Sequence, residues 1–258
     1  MGNPNLSAEK TISYEIGIWQ RINKFMSLDI NLYYRDIYEL LATKTITTFN
    51  QVKYGLYTNK DYGNVRGLEI KFDVLYNQIN FMTNYTLQYT RGISDHPTQA
   101  FNREGNSQDP VNTLIPMSWD QRHTFNATLG YNLEKFGLTL TSYYNSGTTY
   151  TFEPMGESAL AGLNLLPNNS YKPSNISVDL KAFYLIQIKD NISGKLVISI
   201  YNLFDRLNEM NVHNKTGRAY YSIITDTDRA TYRSNFSTLE DVYENPGMYS
   251  APRQIKVG

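Results

Sequence analysis

Chemistry-bearing residues are few in this chain, and their spacing argues against catalysis. His96, His123 and His213 are its only histidines, and none has a second imidazole or a carboxylate at metal-ligand spacing. They read as separate surface residues. Asp226-Thr227-Asp228 offers the hard oxygens that calcium takes, but no glycine-bearing ligand loop surrounds them, so a solvated turn is the simpler expectation. Gly156, Gly162 and their neighbours do not form a phosphate-cradling loop, and neither a nucleophile elbow nor a paired-acid motif occurs. No catalytic residue, metal or cofactor is therefore assigned. An enzyme would need His123 to meet a serine and an acid across strands.

Two polar sets remain. Tyr144, Tyr150, Phe152, Asn168, Asn169 and Tyr171 mix stacking faces with amides, a combination suited to sugars or chelates and equally to bracing a loop. Arg35, Gly67, Glu69, Lys71, Asp73, Arg122, Asp179 and Lys181, together with Asp29, recur at alternate positions, as residues on one face of a sheet do. Their mixed signs suit pairing and solvation rather than attraction of one polyanion.

The elements that must carry these residues follow from a two-residue beat. Met26, Leu28, Ile30, Leu32 and Tyr34 alternate with Ser27, Asp29, Asn31, Tyr33 and Arg35, so one edge is apolar and the other polar. Strands of the same kind are expected over Thr11 to Gln20, Asn64 to Tyr76, Ile79 to Thr90, Arg122 to Tyr131, Leu138 to Tyr144, Ile176 to Tyr184 and Leu196 to Ile200. A ninth begins near Pro252. Turns at Arg21 to Lys24, Asn132 to Lys135 and Lys189 to Gly194 are short, whereas the connections near 36–62, 91–118, 146–173 and 203–250 are long. Short periplasmic turns and long extracellular loops are the topology of outer-membrane barrels, whose outer face meets lipid.

The fold expected is all-β: an incomplete, antiparallel up-and-down transmembrane β-barrel of about nine strands. A soluble β-sandwich would also alternate, but compact soluble domains seldom carry so many long loops. The 22 tyrosines suit strands and aromatic girdles. Lys plus Arg equals Asp plus Glu at 24 each, so nothing recruits nucleic acid, and the absence of cysteine rules out disulfides. No stretch reaches the ~18 consecutive apolar residues of a membrane helix. No secretory signal stands at Met1-Gly2-Asn3-Pro4, which suggests a fragment or truncated gene product.

Five strings, in order along the chain, resemble the C-terminal barrel of TonB-dependent outer-membrane receptors of Bacteroidota-like bacteria. Asn3-Pro4-Asn5-Leu6-Ser7-Ala8-Glu9 resembles the segment leading into a descending strand, with Ala8 where the family usually has proline. Asp61-Tyr62-Gly63-Asn64-Val65-Arg66-Gly67-Leu68-Glu69, Trp119-Asp120-Gln121-Arg122-His123, Tyr201-Asn202-Leu203-Phe204-Asp205 and Pro252-Arg253-Gln254-Ile255 resemble later strand starts and ends.

The resemblance implies the C-terminal portion of a receptor barrel over residues 1–258, in the outer membrane, with the plug domain and signal peptide lying outside the sequence. It implies import of a small extracellular ligand such as an iron chelate, cobalamin or oligosaccharide, energised through TonB. The inward charges would then dock the plug or solvate the lumen. A passive porin or an outer-membrane barrel enzyme is the alternative. About nine strands of a barrel of ~22 leave two unpaired edges, so the isolated chain is not expected to close. Gly67 suits either strand curvature or close approach of another backbone, and Trp119 suits an interfacial anchor.

Overall fold

The computed structural model describes residues 2–153, 165–189, 192–233 and 238–258. The alternating segments form strands β1 (Lys10–Arg21), β2 (Met26–Thr47), β3 (Lys53–Tyr76) and β4 (Ile79–Gly92). Then come β5 (Ile115–Pro116), β6 (His123–Asn132), β7 (Phe136–Asn145), β8 (Thr149–Tyr150), β9 (Ser170–Tyr171), β10 (Asn175–Lys189), β11 (Ile192–Tyr201) and β12 (Gln254–Val257). One antiparallel sheet runs in the order β1-β2-β3-β4-β6-β7-β10-β11-β12. It is open, with β1 and β12 at its two edges and β5 beside β4. Strands β8 and β9 form a separate two-stranded ribbon.

Register carries the two-faced pattern across the whole sheet. Ile18, Ile30, Ile70, Tyr85, Phe125, Tyr144 and Ile176 stand opposite one another in turn across seven strands. The neighbouring row Gly17, Asn31, Glu69, Thr86, Thr124, Asn145 and Asn175 is polar or lacks a side chain. Because side chains alternate with period two, a slip of one residue in any strand would invert its faces, so the apolar row fixes the register. Buried apolar residues are few among the described residues: Ala42, Val111, Ile115, Met117 and Ala219. The sheet has no core between two layers, and Ile16, Ile18, Leu32 and Leu129 lie exposed on its apolar face.

Three connections differ from the sequence expectation. The region near 36–62 is not a loop: β2 and β3 continue as a paired ribbon as far as Thr47 and Lys53, turning over residues 48–52. Here the ribbon leaves the two-faced sheet and packs against Phe101 and Glu104, burying the adjacent Ala42 and Thr43 together, so the strict alternation that betrays a strand disappears. The β-branched run Thr43, Thr45, Ile46 and Thr47 still favours pairing. An irregularity between Ile37 and Leu41, with Glu39 at a φ of 60°, marks where the ribbon leaves the regular sheet. The connection near 91–118 folds into α1 (Gln99–Gly105) and β5, and that near 203–250 holds α2 (Asp226–Thr231), α3 (Leu239–Tyr243) and a single 3-10 turn at Pro246–Met248. Each is too short for helical periodicity to show. Strands β10 and β11 run into the turn expected at Lys189 to Gly194, reaching Lys189 and starting at Ile192; residues 190–191 lie outside the described residues, as do Gly156 and Gly162.

Candidate functional site

All the long connections leave the same end of the sheet, and buried polar groups tie them together there. At the centre is Asp120, fully buried at 0 % exposure. One carboxylate oxygen accepts the Thr90 amide of β4 at 2.8 Å; the other accepts the Arg122 Nε–H at 2.8 Å and the Tyr171 hydroxyl at 2.7 Å. Arg122 also donates to the Tyr171 hydroxyl at 2.7 Å and lies 4.1 Å above the Tyr89 ring. Partial burial, then the bond to Asp120, raises the Tyr171 phenol above its ordinary pKa and keeps it a donor. Arg122, expected to face inward with the polar row, has its guanidinium over the Tyr89 ring. It precedes β6, so the pleat does not fix its direction, and Asp120 draws it over Tyr89, a member of the apolar-face row.

Five of the six residues singled out for ligand capture lie in this assembly, and the side-chain polar groups of Asn168, Asn169 and Tyr171 are committed to it. Asn168, only 6 % exposed and at a φ of 57°, donates to Asp95 at 2.6 Å and to the Pro116 carbonyl at 2.9 Å. Asn169 pairs with both backbone groups of Phe152, at 2.7 and 3.1 Å, extending the β8–β9 ribbon as a strand residue would. Tyr171 braces Asp120, and the Tyr150 hydroxyl packs against Gly217 of the last long connection, a glycine at φ 70°. Tyr144 stands apart on the apolar face between Phe125 and Ile176.

Between these loops opens a cavity of ≈ 440 Å³ whose lining includes His96, Asn102, Arg103, Gln108, Glu153 and Asn168. Of these only Asn168 was legible from sequence, because the lining comes from separate connections with no shared spacing. Arg103 is buried beneath the cavity, donating to the carbonyls of Asp109 at 2.8 Å and Leu165 at 3.1 Å.

The remaining chemical candidates have structural partners. His123 stacks on Tyr85, with Nδ1 2.8 Å from the phenol oxygen, while the Ser146 hydroxyl accepts its backbone amide rather than meeting its ring. Asp228 closes a capping box at the start of α2 and pairs with Lys215 at 3.0 Å. The Thr225 backbone amide, the Thr225 hydroxyl and Lys215 together lower its pKa to about 2. Among the described residues no group of histidines and carboxylates could hold a metal ion.

The profile of the family described as TonB dependent receptor-like, beta-barrel matches residues 1–203. This chain belongs to that family. No curated protein sequence matches it significantly. The fold is that of the outer-membrane transporter YddB from Escherichia coli, at 12% identity and a TM-score of 0.59, covering 80% of this chain and 30% of that one. The FrpB iron transporter from Neisseria meningitidis aligns at 14% identity and 0.54, covering 79% and 28%. The ferric-catecholate import receptor Fiu from E. coli K12 aligns at 16% and 0.52, covering 84% and 26%. The chain thus spans between a quarter and a third of those structures and forms an incomplete TonB-dependent barrel of the outer membrane.

In that barrel the strings noticed in the sequence are rim joints. The Asn202 amide holds the carbonyls of Arg206 and Ala251 at 3.0 and 3.1 Å, and Asp205 accepts the Arg253 amide at 2.8 Å, fastening the end of β11 to the start of β12. Asn3 and Ser7 dock on the β3 ribbon through the Tyr57 carbonyl at 2.9 Å and the Asn59 side chain at 2.8 Å. On the polar face, Tyr33 reaches over Gly67 to donate to Gln88 at 2.9 Å, so this glycine accommodates a neighbouring ring. Glu69, Lys71 and Asp73 stand opposite Asn31, Asp29 and Ser27. Arg35 pairs with Glu15 at 2.7 Å. Asp179 accepts the Asn202 amide at 2.9 Å, and Lys181 stands opposite Thr139 and Ser199.

Proposed function

We propose that residues 1–258 form the C-terminal arc of a receptor barrel that captures a small polar extracellular ligand and imports it with energy delivered through TonB. The observation that carries this reading is the polar cavity of ≈ 440 Å³ enclosed by separate long connections at the end of the sheet away from the short turns. Its lining offers amide donors and acceptors, an imidazole, a guanidinium and a carboxylate. That mixture suits a polyfunctional solute such as an iron chelate, cobalamin or an oligosaccharide. His96, Asn102, Gln108 and Glu153 would touch the ligand, with Arg103 and Asn168 holding the wall. The polar face bearing Arg35, Glu69, Lys71, Asp73, Asp179 and Lys181 would line the lumen and dock the plug. The arc itself acts as stator, since its two-faced register leaves no alternative packing to switch to.

Titration of the membrane-extracted receptor with a panel of ferric chelates, cobalamin and oligosaccharides should yield one class that binds. Asn102→Ala with Gln108→Ala should weaken that class about tenfold, as expected for two lost hydrogen bonds. Uptake should stop when a protonophore collapses the proton gradient. Unchanged affinity in the double variant would overturn the cavity assignment, and uptake that survives the protonophore would favour the passive porin.

A further inference from the structure

The outer wall carries a feature that ligand uptake does not use. On the apolar face, Tyr14, Tyr34, Arg66 and Tyr89 stand opposite one another in turn across β1 to β4. The next row towards the short turns is Ile16, Leu32, Leu68 and Leu87. Between the two rows lies a groove of ≈ 570 Å³ lined by all eight side chains. Its floor is the backbone at Glu15, Tyr33 and Gly67, whose own side chains point to the other face or, at Gly67, do not exist. One wall is therefore aliphatic and the other bears three phenols and a guanidinium.

Charge is placed unevenly here. The Tyr89 ring lies between two guanidinium groups, Arg122 at 4.1 Å and Arg66 at 5.5 Å. Arg122 is neutralised by Asp120 at 2.8 Å, whereas Arg66 has no carboxylate within ion-pair distance among the described residues. One row further out, Asp36 is already engaged by Tyr62, Asn64, Tyr34 and Tyr38, and Arg91 adds a second cation on the same face. A lone arginine at the edge of a hydrocarbon-facing surface is costly unless an anion or water reaches it. The row marks the outer interface, where headgroups begin. Strands of outer-membrane barrels tilt by about 35–45°, so a groove running across them descends obliquely into the hydrocarbon, as an acyl chain does.

We infer that this groove seats an anionic, phosphate-bearing lipid of the outer leaflet. One acyl chain lies against Ile16, Leu32, Leu68 and Leu87, and the phosphate is bonded by Arg66 with the hydroxyl of Tyr14. Guanidinium and phosphate pair through short charge-assisted hydrogen bonds, and the flanking phenols are amphipathic groups that sit at this depth without strain. A girdle tyrosine row alone would need neither the cation nor the cleft beneath it.

Native mass spectrometry of the membrane-extracted receptor, titrated with phosphatidylglycerol or phosphatidylcholine, tests this. The receptor should retain one phosphatidylglycerol in preference to phosphatidylcholine, and inorganic phosphate should not displace it. Arg66→Gln should weaken retention about fivefold, and Arg66→Lys should restore most of it. Leu32→Trp, which fills the groove, should abolish the site, while Leu129→Trp elsewhere on the same face should not. Heat-modifiable migration on gels shows whether each barrel is folded. Equal retention of both lipids, displacement by inorganic phosphate, or a folded Arg66→Gln barrel that binds like the wild type would each overturn the inference. Ligand affinity is measured separately, so failure here leaves the uptake reading standing.

Discussion

Asp120 is the residue on which the loop end of the arc turns. A carboxylate with no exposure is tolerated only when its lone pairs are occupied, and here Thr90, Arg122 and Tyr171 occupy them across three separate segments. Removing it strands the Thr90 amide and an arginine that is itself mostly buried. Asp120→Ala should therefore cost about 3–5 kcal/mol locally. Hydrogen exchange of the Thr90, Ile115 and Met117 amides should accelerate while the strands nearer the short turns stay protected. Unaltered exchange there would mean that the loops are held by something else. The sequence displayed Asp120 and Arg122 inside one recognisable string but not their partner Tyr171, which lies 51 positions from Asp120 with no local pattern to link them. The same distance hid the cavity, of whose lining Asn168 alone was legible.

At the scale of the element, legibility followed the solvent. Wherever one side of a strand meets hydrocarbon and the other meets water, the two-residue beat is strict, and β1, β2 and the membrane part of β3 read directly from it. Past Ile37 the strand leaves the two-faced sheet, the adjacent Ala42 and Thr43 are both buried, the beat stops, and the ribbon from β2 into β3 could not be told from a loop. Helices α2 and α3 gave no periodic signal either, since each is only five or six residues long. The face assignment yields a stability prediction for the complete receptor. Ile30→Arg, on the apolar row, should cost ~2–4 kcal/mol if it lies near the bilayer midplane, and Asn31→Arg, one residue on, should cost far less. Refolding titrations into lipid vesicles would measure both, and equal penalties would contradict the assignment.

For the molecule as a whole, the open order of strands is the informative fact. Edge strands β1 and β12 expose backbone groups that lipid cannot satisfy, so this arc needs further strands to close in a membrane. That agrees with a chain spanning between a quarter and a third of its structural relatives. Fold and membrane location were legible because they rest on period and on recurrent strings; the polar cavity was not, because its lining comes from loops that meet only in three dimensions. The central claim is that alternate residues of the sheet face hydrocarbon and lumen. The chain lacks native cysteine, so single cysteines at positions 29, 30, 31 and 32 of the reconstituted receptor can carry spin labels. Labels at Ile30 and Leu32 should be relaxed chiefly by dissolved oxygen, and those at Asp29 and Asn31 chiefly by a water-soluble nickel chelate. A profile without alternation, or one of opposite phase, would contradict the account.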